Sequence, residues 1–177
     1  MNARRILTLA MAVSLSFVFV AAGVHAERAD DADRVSKNGS TQGEIDGVSI
    51  SIDYGRPNVK GREIWGALVP YGKVWRTGAN EATTIEFSDD VTINGDQLAA
   101  GRYALFTIPG DKEWALIFNE VADQWGAFKY DAGKDALRVT TTPASTDHVE
   151  SMDFAIDGST IVLRWAEIGI PMKVAGN

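Results

Sequence analysis

The sequence predicts an all-β protein, a single antiparallel β-sandwich (jelly-roll-like or immunoglobulin-like) with one short helix. Three observations lead there. Short runs rich in Val, Ile, Thr and aromatic residues alternate apolar and polar side chains, the two-residue period of a half-buried strand. Turn-forming runs such as Asn94-Gly95 and Pro109-Gly110-Asp111 interrupt them at spacings of about eight to twelve residues. Helical periodicity is almost absent.

Arg4 and Arg5 precede an apolar run from Ile6 to Val24, and Val24-His25-Ala26 offers small residues at the positions a signal peptidase reads. Residues 1–26 are therefore expected to be a signal peptide cleaved after Ala26, with an uncleaved anchor as the competing reading, since the run is near the length of a membrane span. Residues 27–47 are polar, rich in Asp, Gly and Ser, and without hydrophobic period. They are expected to form a flexible leader, which places the sandwich domain at 48–177.

From Val48 the pattern changes. Val48, Ile50, Ile52 and Tyr54 alternate with Ser49, Ser51 and Asp53, a strand that Gly55 and Pro57 end because proline cannot donate to a ladder. Between Gly61 and Pro70, Ile64, Trp65, Leu68 and Val69 fall at helical spacing over about two turns, a short helix or an ordered loop. Val74–Arg76, Thr83–Phe87 and Val91–Ile93 are brief strands, and Asn94-Gly95 is a hairpin turn because both residues tolerate positive φ. Arg102–Ile108 and Glu113–Asn119 form an antiparallel pair. Residues 119–135 carry Trp125, Phe128 and Tyr130 without a clear period, and a loop this long in a compact domain is often functional. Ala136–Thr142, His148–Ile156 and Thr160–Ala166 follow as strands; a last one, Ile170–Val174, carries Pro171, which suits an edge or a strand end.

The 177 residues hold 17 Lys and Arg against 24 Asp and Glu, a net charge of −7, and no cysteine. A disulfide framework and lipid attachment at a lipobox are thereby excluded. Signal cleavage leaves 151 residues and a net charge of −9, which argues against nucleic-acid and anionic-membrane partners. It also leaves His148 as the one histidine, which excludes zinc held by His and Cys and restricts any His-dependent nucleophile to that residue. At the entry to a predicted strand, His148 is read as a rim residue. No cofactor and no metal are expected: Asp131-Ala-Gly-Lys-Asp135 lacks the ligand count of a calcium loop, and no Gly-rich loop opens a helix to cradle phosphate.

Against this acidic background, positive charge concentrates in Tyr54–Thr84. Between Arg56 and Arg76 stand five cations (Arg56, Lys60, Arg62, Lys73, Arg76) and one acid, Glu63, with Trp65 and Trp75 among them. Guanidinium forks grip carboxylate, sulfate or phosphate oxygens, and aromatic faces hold a sugar or other planar ring. Arg76 beside Trp75, with Asn80 and Glu81 a turn later, is the expected polar centre of an aromatic-walled cleft. The expected ligand-binding residues are Arg56, Arg62, Trp75, Arg76, Asn80, Glu81 and, from the long loop, Trp125. A competing account pairs the arginines with the chain's many acids and puts Trp65 and Trp75 in the core. Glu81 is the candidate general acid or base, with pairing to Arg76 or to backbone donors as its other role. Glu86, Asp131 and Asp153 are the acids available as its partner for glycoside hydrolysis, and their spacing selects none of them.

The run from Gly55 to Gly110, Trp114–Asn119 (WALIFN), Gln124-Trp125-Gly126 and the closing Leu163-Arg164-Trp165 strongly resemble the bacterial domain-of-unknown-function family 2911 over roughly residues 48–174. The resemblance implies an exported, envelope-associated β protein. It carries no activity, substrate or catalytic residue with it.

The expected function is an exported module, periplasmic or secreted, that binds a small molecule or glycan in the basic, aromatic-lined cleft. Two other classes stand beside it. One is a hydrolase on envelope sugars or peptides with Glu81 as acid or base; the other is a structural or interaction module whose basic island docks a protein partner. No nucleic-acid partner is expected, and no membrane span after signal cleavage.

Overall fold

The computed structural model describes residue 28 and residues 30–177, so the expected signal peptide lies outside the described residues. Ten strands follow in order: β1 (Lys37–Ile45), β2 (Val48–Arg56), β3 (Thr83–Phe87), β4 (Val91–Ile93), β5 (Asp96–Leu98), β6 (Gly101–Ile108), β7 (Trp114–Asn119), β8 (Asp135–Thr141), β9 (Ala144–Asp157) and β10 (Thr160–Gly176). They form a six-stranded sheet, β1-β2-β3-β6-β7-β8, and a four-stranded sheet, β5-β4-β10-β9, all antiparallel. This is the expected all-β sandwich. Among the described residues no helix is long and apolar enough to cross a membrane.

The alternation read in β2 sets the core. Val48, Ile50, Ile52 and Tyr54 point between the sheets, where they meet Ile85 and Phe87 of β3, Phe118 of β7, and Met152, Phe154, Leu163 and Trp165 of the smaller sheet. The two-residue period also explains why β6 is buried along most of its length. Leu105 faces the sandwich interior, whereas Ala104 and Phe106 face outward and pack with Ala82 and Ile117 under Tyr130 of the long loop. The larger sheet is thus covered on both faces in its centre, and the long loop is the second cover.

Three expectations are corrected. First, part of the segment 27–47 expected as a flexible leader is a strand: Lys37–Ile45 forms β1, paired with β2 from Lys37↔Arg56 to Ile45↔Val48. Asp46 and Gly47, at φ 51° and 83°, make the two-residue hairpin between them. Only Ile45 of β1 is buried, so the strand lacks the apolar alternation that would announce it. Its glycines are steric requirements: a Cβ on Gly39 would lie 2.6 Å from the Arg56 side chain and 2.7 Å from the Tyr54 ring. Second, of the short helix and the ordered loop expected at Gly61–Pro70, the ordered loop is what forms, and the one short helix of the expected fold is not there. Gly61 and Gly66, at φ 65° and 84°, leave the helical region, and the loop closes on itself through Gly66 N–H to Val69 O (2.9 Å) and Val69 N–H to Ile64 O (2.8 Å). Among the described residues the helical element is a 3-10 turn at Ala132–Lys134, whose cap Asp131 accepts from Gly133 N–H. Third, Val74–Arg76 is no strand, since only Trp75 bridges to Thr107.

The two expected C-terminal strands are one, β10, bent by register shifts on either side of Ala166 (φ 52°). Pro171 falls between the part paired with β9, which ends at Gly169, and the part paired with β4, which begins at Val174. Its missing N–H therefore interrupts neither ladder.

Gly55 determines how the loop before β3 meets the sheet. Its Cα lies against the Ala79 carbonyl, and Ala79 N–H donates to Gly55 O at 3.2 Å. Gly55→Ala is predicted to push residues 76–80 off β2 and to cost about 1–3 kcal/mol, the usual penalty of overpacking, read from denaturant unfolding. An unchanged midpoint and slope would show that this contact does not hold the loop.

Candidate functional site

The turn from Trp75 to Thr83 is pinned from several sides. Trp75 exchanges two backbone hydrogen bonds with Thr107 of β6 (2.8 and 2.9 Å), Thr83 N–H donates to Arg76 O (3.1 Å), and Thr83 Oγ1 donates to Thr77 O (2.7 Å). The long loop adds Ala82 N–H to Gln124 O (2.9 Å) and Gly126 N–H to Asn80 O (3.2 Å). These bonds hold Thr77 and Asn80 in the left-handed region, at φ 54° and 63°. For a β-branched residue such as Thr77 that conformation is a strained one, found where surrounding structure over-determines it.

On one side of this turn lies a cleft of about 390 Å³. Its floor is Trp75, Trp165 and Val69, with Arg76, Gly78 and Ala79 of the turn beside them. One wall is the segment Pro57–Arg62, tied to β9 by Val59 N–H to Glu150 O (2.8 Å) and Met152 N–H to Pro57 O (3.0 Å). The opposite wall is Val35 and Ser36, from the segment that precedes β1. Three cations, Lys60, Arg62 and Arg76, line the cleft and no Asp or Glu does. Behind the floor, Trp65 stands edge-on to Trp75, Trp114 and Trp165 at 5.8, 4.9 and 5.6 Å, while Trp75 and Trp165 stack at 5.9 Å.

Arg76 differs from every other described arginine. Arg28 and Arg34 pair with Glu81, Arg102 with Asp123, Arg138 with Asp135 and Arg164 with Asp153. Arg56 donates to Met152 O, and Arg62 to the carbonyls of Val59 and Asn58. Arg76 has no partner among the described residues, its Nε is enclosed without an acceptor, and burial lowers its pKa with no carboxylate to oppose the shift.

On the other side of the turn, Glu81 is gripped twice. Arg34 donates to both of its oxygens, at 2.5 and 2.7 Å, and Arg28 adds a third contact at 3.4 Å while donating to the carbonyls of Asp53 (2.8 Å) and Ala82 (2.6 Å). Hydrogen bonding to Arg34 above all, against an opposing burial effect, holds the Glu81 carboxyl at about 2. Glu81, Arg28, Arg102, Asp123 and Trp125 surround a smaller pocket of about 190 Å³. Asn80 joins the two sides by donating from Nδ2 to Ser36 O at 3.0 Å. The segment Asp30–Ser36 is consequently a strap, latched at Glu81 and Asn80, whose Val35-Ser36 portion walls the cleft.

The expected site residues therefore divide. Arg62, Trp75 and Arg76 line the cleft; Glu81 and Trp125 line the smaller pocket; Asn80 fastens the strap; Arg56 lies outside both, turned to Met152. The partner of Glu81 is Arg34 with Arg28, and not Arg76. Of the acids considered beside it, Asp153 is engaged by Arg164 and Asp131 caps the 3-10 turn. His148 is exposed on β9, where its ring nitrogens meet Glu167 (2.7 Å) and Glu150 (3.3 Å), and those contacts raise its pKa. Among the described residues, no group of three or more His, Asp or Glu is placed to hold a metal ion. Sequence reasoning missed Arg28, Arg34, Ser36 and Trp165. The first three sit in the segment read as a leader, where the one available signal was Asp46-Gly47, a hairpin dipeptide that requires a strand before it.

A profile for the family described as Protein of unknown function (DUF2911) matches residues 36–174, from just before β1 to near the end of β10. No curated protein and no solved structure matches the chain.

Glu81→Gln removes the charge that two guanidinium groups share and is predicted to cost roughly 1.5–3 kcal/mol at pH 7, as charge-assisted bonds do. Because the folded pKa is depressed, this stabilisation is complete above the ordinary carboxyl range and is lost as pH falls toward about 2. Thermal midpoints of the two proteins should differ at pH 7 and converge on acidification below about 4.5. A gap independent of pH would remove Glu81 ionisation as its cause.

Proposed function

The chain belongs to the family described as Protein of unknown function (DUF2911), and we propose that it is an exported module that binds a small molecule or glycan in the Arg76 cleft. One observation carries this reading: a half-buried guanidinium without a counter-charge, in a protein with more acids than cations. Leaving a charge partly desolvated and unpaired is unfavourable, and such groups concentrate where a ligand completes them. The remaining geometry agrees. The cleft volume falls in the range of about 300–1,000 Å³ typical of small-molecule sites, its floor is aromatic, and its walls are fixed to β9 and to the strap. Export rests on the expected signal peptide.

The state of Glu81 weighs against the hydrolase alternative. A general acid must hold a proton near neutral pH and a general base works best with a pKa near it, whereas this carboxyl is held at about 2 with both oxygens accepting from Arg34. One observation favours an interaction module as the second reading. Trp125 and Phe128 of the long loop are 61% and 87% exposed, and Trp125 lines the Glu81 pocket, not the Arg76 cleft.

Thermal unfolding against a panel of envelope sugars, amino acids, peptides and small anions tests the binding reading. A ligand at about 100 times its Kd should raise the midpoint on the order of 5 to 10 °C, and Arg76→Met should abolish that shift. Because Arg76 has no partner to strand, the same substitution should leave the free protein within about 1 kcal/mol of the parent or make it more stable, where breaking a buried ion pair costs about 3–5 kcal/mol. A large loss of stability would instead mark Arg76 as structural, and a flat panel would favour the interaction module.

A further inference from the structure

We propose that the Arg76 cleft selects an organic carboxylate, with the anionic group at Arg76 and an apolar or ring-shaped body lying toward the cleft mouth. This rests on the reading of the cleft as a small-molecule site and names the chemistry it takes.

The inventory of unmet polar atoms gives the sign of the ligand. Among the residues that line the cleft, the enclosed atoms without a partner are Arg76 Nε and the indole Nε1 of Trp165, and both are donors. Trp165, itself a lining residue, is 1% exposed. The unmet acceptors, Gln124 Oε1 and Thr146 Oγ1, belong to residues that do not line this cleft. Three of the lining acceptors are already engaged: Asn58 Oδ1 takes the Ser151 hydroxyl, the Asn58 carbonyl takes Arg62, and Ser36 O takes Asn80. A cationic ligand would find three cations and no carboxylate in the lining, whereas an oxyanion satisfies donors that otherwise stay unmet.

Charge and shape narrow the class further. One cation, Arg76, is half-buried beside the floor, while Lys60 and Arg62 are exposed at the rim. A single guanidinium fork matches a planar carboxylate in two parallel bonds and neutralises one negative charge. A phosphate dianion placed there would keep a second charge in a cleft floored by tryptophan, at a desolvation cost. The rim cations add long-range attraction for an acid approaching an acidic protein. The mouth is apolar beside them: Val35 is 80% exposed and Leu68 46%. Exposed aliphatic side chains next to an unpaired guanidinium fit an acid with a body, either an acyl chain or the carbon face of an acidic sugar.

Titration calorimetry on the purified protein tests this with hexanoate and glucuronate, their uncharged counterparts hexanamide and glucose, and acetate and inorganic phosphate. The expected result is that hexanoate or glucuronate binds at least about tenfold tighter than its counterpart and than acetate, the advantage given by one charge-assisted contact. The hexanoate and glucuronate arms tell an acyl acid from an acidic sugar. Arg76→Gln should erase the preference for the acid, and Arg76→Lys should keep part of it, with unfolding curves confirming that both variants are folded. If hexanamide or glucose binds as well as its acid, or if phosphate binds best, the carboxylate assignment is overturned while the cleft remains a ligand site. If none of the six compounds binds, the carboxylate assignment is overturned, and the wider thermal-unfolding panel decides the small-molecule reading separately.

Discussion

Two arginines from the N-terminal segment close on Glu81, and much of the site follows from that contact. Glu81 stands at the end of the pinned turn, one residue after Asn80, and the residues that grip it lie 47 and 53 positions earlier in the chain. The grip converts a polar, otherwise unsupported segment into a strap across the end of the sandwich. With the Asn80–Ser36 bond, it places Val35 and Ser36 as a wall of the Arg76 cleft. Charge-assisted bonds of this kind are stronger than neutral ones and, partly shielded from water, less screened by salt. A strap held by packing alone would fray, because of its side chains Val35 is almost fully exposed.

The turn thus has two electrostatic faces. On the Glu81 face charge is over-compensated, two guanidinium groups to one carboxylate; on the Arg76 face it is not compensated at all. Both guanidinium populations are partly desolvated, so the difference is not one of burial but of supply. The fold spends acids on fixing the strap and provides none to the cleft. The tryptophan cluster behind the cleft adds to this imbalance, since it fills the end of the core with large rings whose N–H groups lack acceptors. A rigid aromatic floor and a strained, over-determined turn keep Arg76 in place before any ligand arrives, which lowers the ordering cost of binding.

The parts of this architecture that were legible in the sequence are those governed by local patterning. The alternation in Val48–Tyr54, the Asn94-Gly95 turn and the Arg102–Asn119 pair all reflect the two-residue period or turn chemistry, and each is where the pattern puts it. The concentration of cations before Arg76 pointed to the cleft, because charge clustering is visible without structure. What local patterning does not carry was missed. β1 buries a single apolar side chain and is specified by pairing with β2, so its composition reads as a leader. The helical spacing of Ile64, Trp65, Leu68 and Val69 serves a loop that inserts tryptophan into the core, with Gly66 breaking the helix. The partner of Glu81 could not be found by proximity along the chain. Arg76 is five residues away and faces elsewhere, while Arg34 reaches Glu81 only because the β1–β2 hairpin folds the segment back.

In the free protein the Arg76 guanidinium is a donor without an acceptor among the described residues. The most direct test is the nuclear magnetic resonance signal of the Arg76 Nε–H group, assigned by its loss in Arg76→Gln and followed during titration with hexanoate. This proton should move downfield, as it does on gaining a charge-assisted hydrogen bond, while the Nε–H signals of Arg28 and Arg34 stay in place. A ligand that binds and shifts other signals while leaving Arg76 unmoved, or an Arg76 signal already hydrogen-bonded in the free protein, would contradict it.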